Sequence, residues 1–140
     1  MIGGLEHQRT GRVVFEDLAR SLGIREVVLV GQDTTRYGHD LGISEGLASL
    51  LTSICDTFPE LPWIRVMYAY PGYVTDRLIE VMATRKQVLP YLDMPLQHAH
   101  PKTLYRMRRP SNIDWVHETL ARMRAALPDL SIRTTFIVGY

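Results

Sequence analysis

Cysteine is nearly absent from this chain of 140 residues, in which Cys55 is the only one. A disulfide needs two cysteines and a closed cysteine metal site needs more, so neither can be built within this sequence. Cys55 lies in an apolar, periodic stretch from Gly46 to Phe58. That setting is typical of a small core residue.

A charge excess and a long apolar run are lacking as well. The formal net charge is +1, which gives no overall field to attract DNA or an anionic membrane. No stretch approaches the roughly 20 apolar residues that span a bilayer, and Met1 to Gly11 has no apolar core of a secretory signal. These absences favour a cytoplasmic protein that binds neither membrane nor DNA. The local basic patch of Arg106, Arg108 and Arg109 suits either a solvated helix end or a binding role.

Short apolar runs alternate with stretches of helical periodicity, which is the pattern of a parallel sheet flanked by helices. Four strands are predicted: Glu26 to Gly31, Trp63 to Ala69, Val88 to Leu96 and Ile132 to Val138. Four helices are predicted: Val13 to Leu22, Ser44 to Thr57 with Ser44 as N-cap, Thr75 to Arg85 with Thr75 as N-cap, and Asn112 to Leu127. The fold class is therefore α/β.

The predicted elements amount to about half of a TIM-type parallel barrel, because a complete one needs roughly eight strands and 250 residues. We therefore expect one partial domain over residues 1–140, truncated at both ends and belonging to a longer protein. The unclosed edges of such a half-barrel would be exposed unless another part of a protein covered them.

The segment from Tyr91 to Pro110, YLDMPLQHAHPKTLYRMRRP, carries an apolar strand into polar residues and then a basic run. Such polar residues matter because α/β enzymes keep their chemistry where strands end. Together with VLVGQDTTRYG (Val28 to Gly38) and RTTFIVGY (Arg133 to Tyr140), the segment resembles the methylthiotransferase branch of the radical S-adenosylmethionine (SAM) enzymes. Within that branch, LDMPLQHA from Leu92 to Ala99 is most similar to the enzymes that thiomethylate an aspartate of ribosomal protein S12. Relatives that modify tRNA, the near alternative, usually carry a Gln-Ser-Gly type sequence at this place.

The first candidate site is Gly31-Gln32-Asp33, directly after the first strand. Glycine lets a backbone approach a ligand closely, and an amide with a carboxylate can accept hydrogen bonds from an ammonium or a hydroxyl. The resemblance implies that this tripeptide holds the amino group of SAM. The alternative is an Asp-Thr turn that caps the next segment.

The second candidate site is Gln97 with His98, after the third strand. Gln97 can hydrogen-bond a ribose or a carboxylate, and His98 can orient substrate or cofactor. A structural histidine at a strand-to-helix turn is the alternative for His98, and His100 is assigned to capping or surface. Tyr70 resembles the family's Tyr-Pro segment and is a candidate substrate contact, with ordinary aromatic packing as its alternative.

The third candidate site is the last strand, with Arg133 at its start and Gly139 at its end. The resemblance implies that the backbone around Ile137 and Gly139 passes beside the adenine of SAM. Arg133 is predicted to reach the SAM carboxylate as a charged donor, or alternatively to pair with an acidic helix.

The resemblance also implies two cofactors, SAM and a four-iron, four-sulfur cluster that cleaves it reductively to an adenosyl radical. The CxxxCxxC loop that holds this cluster in the family is expected upstream of Val13, yet Met1 to Arg12 contains no cysteine. We therefore expect the isolated chain to bind no cluster and to have no turnover. No catalytic residue and no metal ligand is assigned.

Two interpretations from other classes remain open. Asp93, His98 and His100 could be divalent-metal ligands of a barrel hydrolase, because His-x-His at a strand end is a familiar ligand spacing. The chain could also be a non-catalytic truncated product, whatever the activity of its parent.

Overall fold

The computed structural model describes residues 23–109 and 111–140. The elements follow one another as β1 (Glu26–Leu29), α1 (Gly46–Thr57), β2 (Trp63–Val66), α2 (Asp76–Thr84), β3 (Val88–Asp93), α3 (Pro101–Arg106), α4 (Ile113–Ala126) and β4 (Ser131–Arg133). Three short 3-10 turns lie over Thr34–Arg36, His39–Leu41 and Pro71–Tyr73. The predicted helix from Val13 to Leu22 lies outside the described residues.

The four strands form one parallel sheet in the order β1-β2-β3-β4. Each strand is followed by a crossover that carries at least one helix before the next parallel strand begins, as parallel pairing requires. This arrangement confirms the predicted α/β class and is consistent with part of a TIM-type parallel β/α barrel. No helix in the described ranges is both long and apolar enough to cross a membrane.

One side of the sheet, here called the covered face, is packed by helices. Its strand residues are Val27, Leu29, Ile64, Val66, Leu92 and Ile132, and all belong to or pack on the hydrophobic core. The helices contribute Leu51 from α1, Ile79 from α2 and Met123 from α4. Burying an aliphatic side chain of this kind stabilises the fold by about 1.5–3 kcal/mol, so the sheet depends on this layer.

The opposite side, here called the open face, has no helix packed on it among the described residues. Strand pairing places eight side chains there, because paired residues of parallel strands share a face: Glu26, Val28, Trp63, Arg65, Tyr91, Asp93, Ser131 and Arg133. In a β/α barrel this side is the interior.

The regular strands are shorter than predicted at their carboxyl ends, and proline explains one case. Pro95 has no amide hydrogen and interrupts the β3–β4 ladder. Pairing then resumes as an isolated parallel bridge between Gln97 and Phe136. Pro90 acts similarly on the other side of β3, where the β2–β3 register shifts between Ile64 and Val66.

Helix caps were predicted correctly at α2 and incorrectly at α1. Thr75 caps α2, and its hydroxyl oxygen accepts from the Leu78 amide at 3.2 Å. The predicted Ser44 cap is wrong because Glu45 occupies the N-cap of α1, with a φ of 58° and no side-chain cap bond. Its carboxylate accepts instead from the Thr75 hydroxyl. The next residue, Gly46, has to be a glycine, since a Cβ there would lie 2.0 Å from the Tyr37 carbonyl oxygen.

Candidate functional site

The segments at the carboxyl ends of the four strands are hydrogen-bonded to one another. The bonds run from Thr34 N to Tyr68 O at 3.0 Å, from Ala69 N to Asp93 O at 2.8 Å, and from Met94 N to Arg133 O at 2.8 Å. We call these connected segments the carboxyl rim; it comprises residues 30–37, 67–73, 93–98 and 133–139. Every candidate site residue predicted from the sequence lies in it.

Two residues of the carboxyl rim have backbone conformations that side chains rarely adopt. The φ angles of Tyr68 and Gln97 are 56° and 67°, a region that disfavours bulky residues. Gln97 is held there from both sides, because its amide donates to Thr135 O at 2.8 Å and its carbonyl accepts from Ile137 N at 2.7 Å. Such strain costs on the order of 1–3 kcal/mol and clusters at active sites and ligand clamps. It supports a ligand-binding role for the rim.

The first predicted site begins with an exposed glycine. A Cβ at Gly31 would meet only Thr34, with the nearest atom at 3.6 Å, so the backbone here leaves room for an approaching group. Gln32 is also exposed, and Asp33 is half-buried. The SAM contacts expected of these three residues stay predictions.

Asp33 itself caps the 3-10 turn that follows it. Its Oδ1 accepts from the Thr35 amide at 3.1 Å and also from the Thr35 hydroxyl. The alternative of an Asp-Thr turn therefore describes the local structure correctly. Thr35 Oγ1 in turn accepts from the Tyr70 amide at 3.2 Å, which ties the first site to the Tyr-Pro segment.

Three predicted residues that follow two different strands meet in one small pocket. Tyr70, Gln97 and His98 line a cavity of about 30 Å³ together with Leu104 of α3 and Arg109. The sequence placed Tyr70 and Gln97 after different strands, and the carboxyl rim brings them together. The pocket has room for a small polar group or a side-chain end.

The surroundings of Tyr70 and His98 determine where each of these two pocket residues carries its proton. Burial raises the pKa of Tyr70 above its usual 10.0, the nearby Tyr73 raises it further, and the positive charge of Arg109 opposes the rise. Tyr70 is therefore a neutral hydroxyl donor at ordinary pH. His98 Nδ1 accepts from the His100 amide at 2.9 Å, so in the neutral ring the proton resides on Nε2. This bond fits the alternative of a turn-forming structural histidine, while the ring still lines the pocket.

Arg133 has a partner that the sequence interpretation did not name. The predicted alternative was an acidic helix, whereas the acid is Asp93 on the neighbouring strand, with Arg133 Nη1 2.5 Å from Asp93 Oδ2. The hydrogen bond to Asp93 and its negative charge raise the pKa of Arg133, so the guanidinium is always charged. The guanidinium lies on the open face at the carboxyl end of β4, the end of the strands where β/α barrels keep their active sites.

The last predicted residues lie at the end of the rim next to Gln97. Ile137 is half exposed and bonded through its amide to Gln97. Gly139 has a φ of 74°, and a Cβ there would meet no atom within 4 Å. This open, apolar edge is compatible with a flat ring system, and the adenine contact stays a prediction.

A larger pocket borders the carboxyl rim. It measures about 180 Å³ and opens between the second 3-10 turn and the start of α1, with Tyr37, His39, Glu45 and Tyr73 among its lining residues. None of the predicted site residues lines it. The strained backbone of Gln97 and the polar groups that converge beside it favour the smaller pocket as the candidate site.

The residues do not fit a metal cluster. Within residues 23–109 and 111–140, no three His, Cys, Asp or Glu side chains form a group that could hold a metal ion. Asp93, His98 and His100 therefore do not make the ligand set of the hydrolase alternative in the described structure. Cys55 is buried in the core beside the covered face, and the sequence has no second cysteine.

The sequence did not identify Asp93 as an ion-pair partner, nor Thr35 as a link between segments, and it marked Arg109 only as a member of a basic patch. A signal for Asp93 was present, because an acid inside an otherwise apolar strand is rarely buried without a partner. No comparable signal marks Thr35 or places Arg109 beside Tyr70, since both positions depend on how separate loops meet.

The sequence of this chain is similar to known proteins over most of its length. Residues 12–140 match the radical SAM superfamily. The chain is 57% identical over 118 residues to the ribosomal protein uS12 methylthiotransferase RimO of Chloroflexus aurantiacus, an alignment that covers 84% of this chain and 26% of that protein. It is 50% identical over 140 residues to the protein of the same name from Roseiflexus castenholzii, covering 99% of this chain and 29% of that protein. The chain thus spans less than a third of the length of these relatives.

Proposed function

The chain belongs to the radical SAM superfamily, and from this premise we propose that it supplies part of the catalytic core of a methylthiotransferase that modifies an aspartate of ribosomal protein S12. One observation carries the proposal: relatives bearing that name are 42–57% identical to the chain. A ribosomal protein as substrate also favours a cytoplasmic enzyme, as the sequence suggested. In this proposal residues 1–140 are a partial radical SAM core domain.

The superfamily implies SAM and an iron–sulfur cluster as cofactors. SAM, when bound and reductively cleaved, supplies a radical that abstracts hydrogen from an unactivated carbon. The side chains of this chain do not fit a cluster, because Cys55 is its only cysteine and is buried. No step is therefore assigned to a cluster on these residues.

The carboxyl rim fits SAM better, and its residues receive the following proposed roles. The backbone of Gly31 and Gln32, with Asp33, surrounds the amino group, and Arg133 holds the carboxylate. Gln97 hydrogen-bonds the ribose, while Ile137 and Gly139 border the adenine. The exposed backbone at Gly31, the strained and doubly bonded Gln97 and the charged Arg133 on the open face support this arrangement.

Tyr70 and His98 are proposed to face the protein substrate. They line the same small pocket as Gln97, so a group bound there would lie beside the cofactor. The neutral Tyr70 hydroxyl and the protonated Nε2 of His98 can both donate to a carboxylate. An aspartate side chain is a suitable acceptor for both.

The activity is tested with the full gene product, reconstituted anaerobically with iron and sulfide. The enzyme is incubated with SAM, a reductant, purified S12 and tRNA, and peptides and nucleosides are analysed by mass spectrometry. We expect a methylthio group in place of one hydrogen on a single aspartate. Modified adenosine in tRNA with unmodified S12 would establish the tRNA alternative instead. SAM cleavage with neither substrate modified would reject both substrates.

The cofactor site is tested separately with Gly31→Ala. The added methyl meets only Thr34, so the unfolding midpoint should not change. If the backbone of Gly31 lies against SAM, the affinity for S-adenosylhomocysteine, measured by calorimetry, should fall by at least about tenfold, or roughly 1.4 kcal/mol. Unchanged affinity would remove Gly31 from the site.

A further inference from the structure

An uncommon carboxylate lies at the end of β3. Asp93 is 0% exposed, and only one of its two oxygens has a partner among the described residues. Oδ2 accepts from Arg133, whereas Oδ1 is buried without any hydrogen bond. A buried charge is tolerated only when it is paired. Arg133 is therefore the contact that balances this carboxylate.

The two members of the pair are fixed to different degrees by their surroundings. Asp93 and Arg133 are directly paired in the β3–β4 register, and Met94 N donates to Arg133 O at 2.8 Å, so both backbones are held. The Arg133 side chain is nevertheless 57% exposed. One end of the guanidinium is bound to a buried acid, and the rest of it faces outward from the open face.

We propose that Asp93 is a positioning residue that anchors the Arg133 guanidinium on the open face, so that its remaining N–H donors bind the carboxylate of the SAM methionine moiety. The inference rests on the proposed function for the identity of the ligand, and it adds a residue to which that function assigned no role. A guanidinium has five N–H donors in a planar fork. After one has been given to Asp93, a second edge can still bind a carboxylate with two parallel hydrogen bonds.

The anchoring also lowers the entropic cost of binding. A free arginine side chain loses many rotamers when it binds a ligand, whereas Arg133 has already been ordered by Asp93. Moving the arginine away would leave the buried carboxylate unpaired, which is strongly unfavourable. The arginine is thus held in one place before the ligand arrives.

The test compares two probes, of which only one carries the amino-acid group and with it the carboxylate. S-adenosylhomocysteine carries the amino-acid group, whereas 5′-methylthioadenosine lacks it. Both are titrated by calorimetry into the reconstituted full gene product and into Asp93→Asn, which has nearly the same shape without the charge. We expect affinity for S-adenosylhomocysteine to fall about tenfold or more, while affinity for 5′-methylthioadenosine stays unchanged.

A matched control is available on α2. Asp76 also accepts a hydrogen bond from an arginine, Arg122, but it is highly exposed and is not a residue of the carboxyl rim. Asp76→Asn makes the same chemical change and should leave both affinities as they are. Arg133→Gln should reproduce the selective loss. Adding Asp93→Asn to Arg133→Gln should cause little further loss, because the aspartate acts through the arginine.

Each other outcome rejects the idea in a distinct way. An equal fall for both probes in Asp93→Asn means that Asp93 supports the fold generally, and no fall means that it does not position the arginine. If Asp93→Asn does not fold, the double variant, in which two amides can bond to each other, must show the selective loss or the inference fails. Wild-type protein that binds neither probe would overturn the proposed function itself.

Discussion

The covered and open faces of the same sheet are built on different principles. On the covered face, Ile64, Val66 and Leu92 are at most 1% exposed and are held by non-directional apolar contact. On the open face, Val28 is 45% exposed, and the charged side chains are paired across neighbouring strands. The first face stabilises the chain, and the second holds charged side chains in fixed positions by directional contacts.

The open face contains two ion pairs at different positions along the strands. Glu26 pairs with Arg65, whose guanidinium lies 4.7 Å from the centre of the Tyr91 ring. Asp93 pairs with Arg133 at the carboxyl end of the strands. The arrangement nearer the amino ends has all its members satisfied, whereas the one at the carboxyl rim leaves Asp93 Oδ1 without a partner. The two pairs therefore differ in burial, because Asp93 is fully buried whereas Glu26 and Arg65 are each about 30% exposed.

The largest expected effect separates the two faces directly. Ile64→Ala removes a fully buried side chain from the covered face and should lower the free energy of unfolding by about 2–5 kcal/mol. Val28→Ala on the open face should lower it by less than about 1 kcal/mol, because that side chain is already half exposed. Urea denaturation of both variants measures the difference. Equal losses would mean that the open face is covered in the native protein.

A smaller effect on stability is expected at the ion pair between Glu26 and Arg65 on the open face. Glu26→Gln should lower the free energy of unfolding by about 0.2–1 kcal/mol, since the partly exposed pair with Arg65 gains only modest energy in water. The loss should shrink at high salt. Glu80→Gln, in an exposed pair with Arg77 on α2, is the control and should cost no more. A cost comparable to that of Ile64→Ala would contradict the view that this face contributes little to stability.

The smallest effect is a pH dependence from the core beside the covered face. Burial raises the pKa of Cys55 above its usual 9.0, although the charge of Arg85 partly opposes this. Because the unfolded chain ionises its thiol at lower pH than the folded one, the stabilising contribution is complete below 9.0 and is lost as pH rises towards the folded value. The free energy of unfolding, measured by denaturation at several values between about pH 8 and 10, should therefore fall less steeply with pH for Cys55→Ala than for wild type. Parallel curves would show that Cys55 does not titrate in this range.

The apolar pattern predicted the sheet and its helices well because the spacing of apolar residues along the chain marks the faces that become buried. Thr75 was identified as a cap for the same local reason, since its hydroxyl bonds three residues along the chain. The prediction of Ser44 as a cap was wrong, and Glu45 at the N-cap bonds to Thr75, 30 residues away. The predicted end of β3 was wrong because the β3–β4 ladder is interrupted at Pro95 and then resumes at Gln97.

The segments of the candidate site could be identified along the sequence, but their backbone conformations and relative positions could not. Gly31 and Gln97 were predicted because glycine and polar residues follow apolar strands, and Arg133 was predicted from the resemblance at the last strand. Their contacts with SAM stay predictions. The left-handed backbone of Tyr68 and Gln97 could not be foreseen, because neither residue favours it and only cross-strand hydrogen bonds hold it.

The sequence by itself determined the α/β class, the family and the strands whose ends carry the site, since these depend on periodicity and on motifs read along the chain. The tertiary structure alone decided that Tyr70, Gln97, His98 and Arg109 share a pocket and that Asp93 holds Arg133. Those contacts join residues up to 40 positions apart. They follow from strand register and loop geometry, which no local pattern contains.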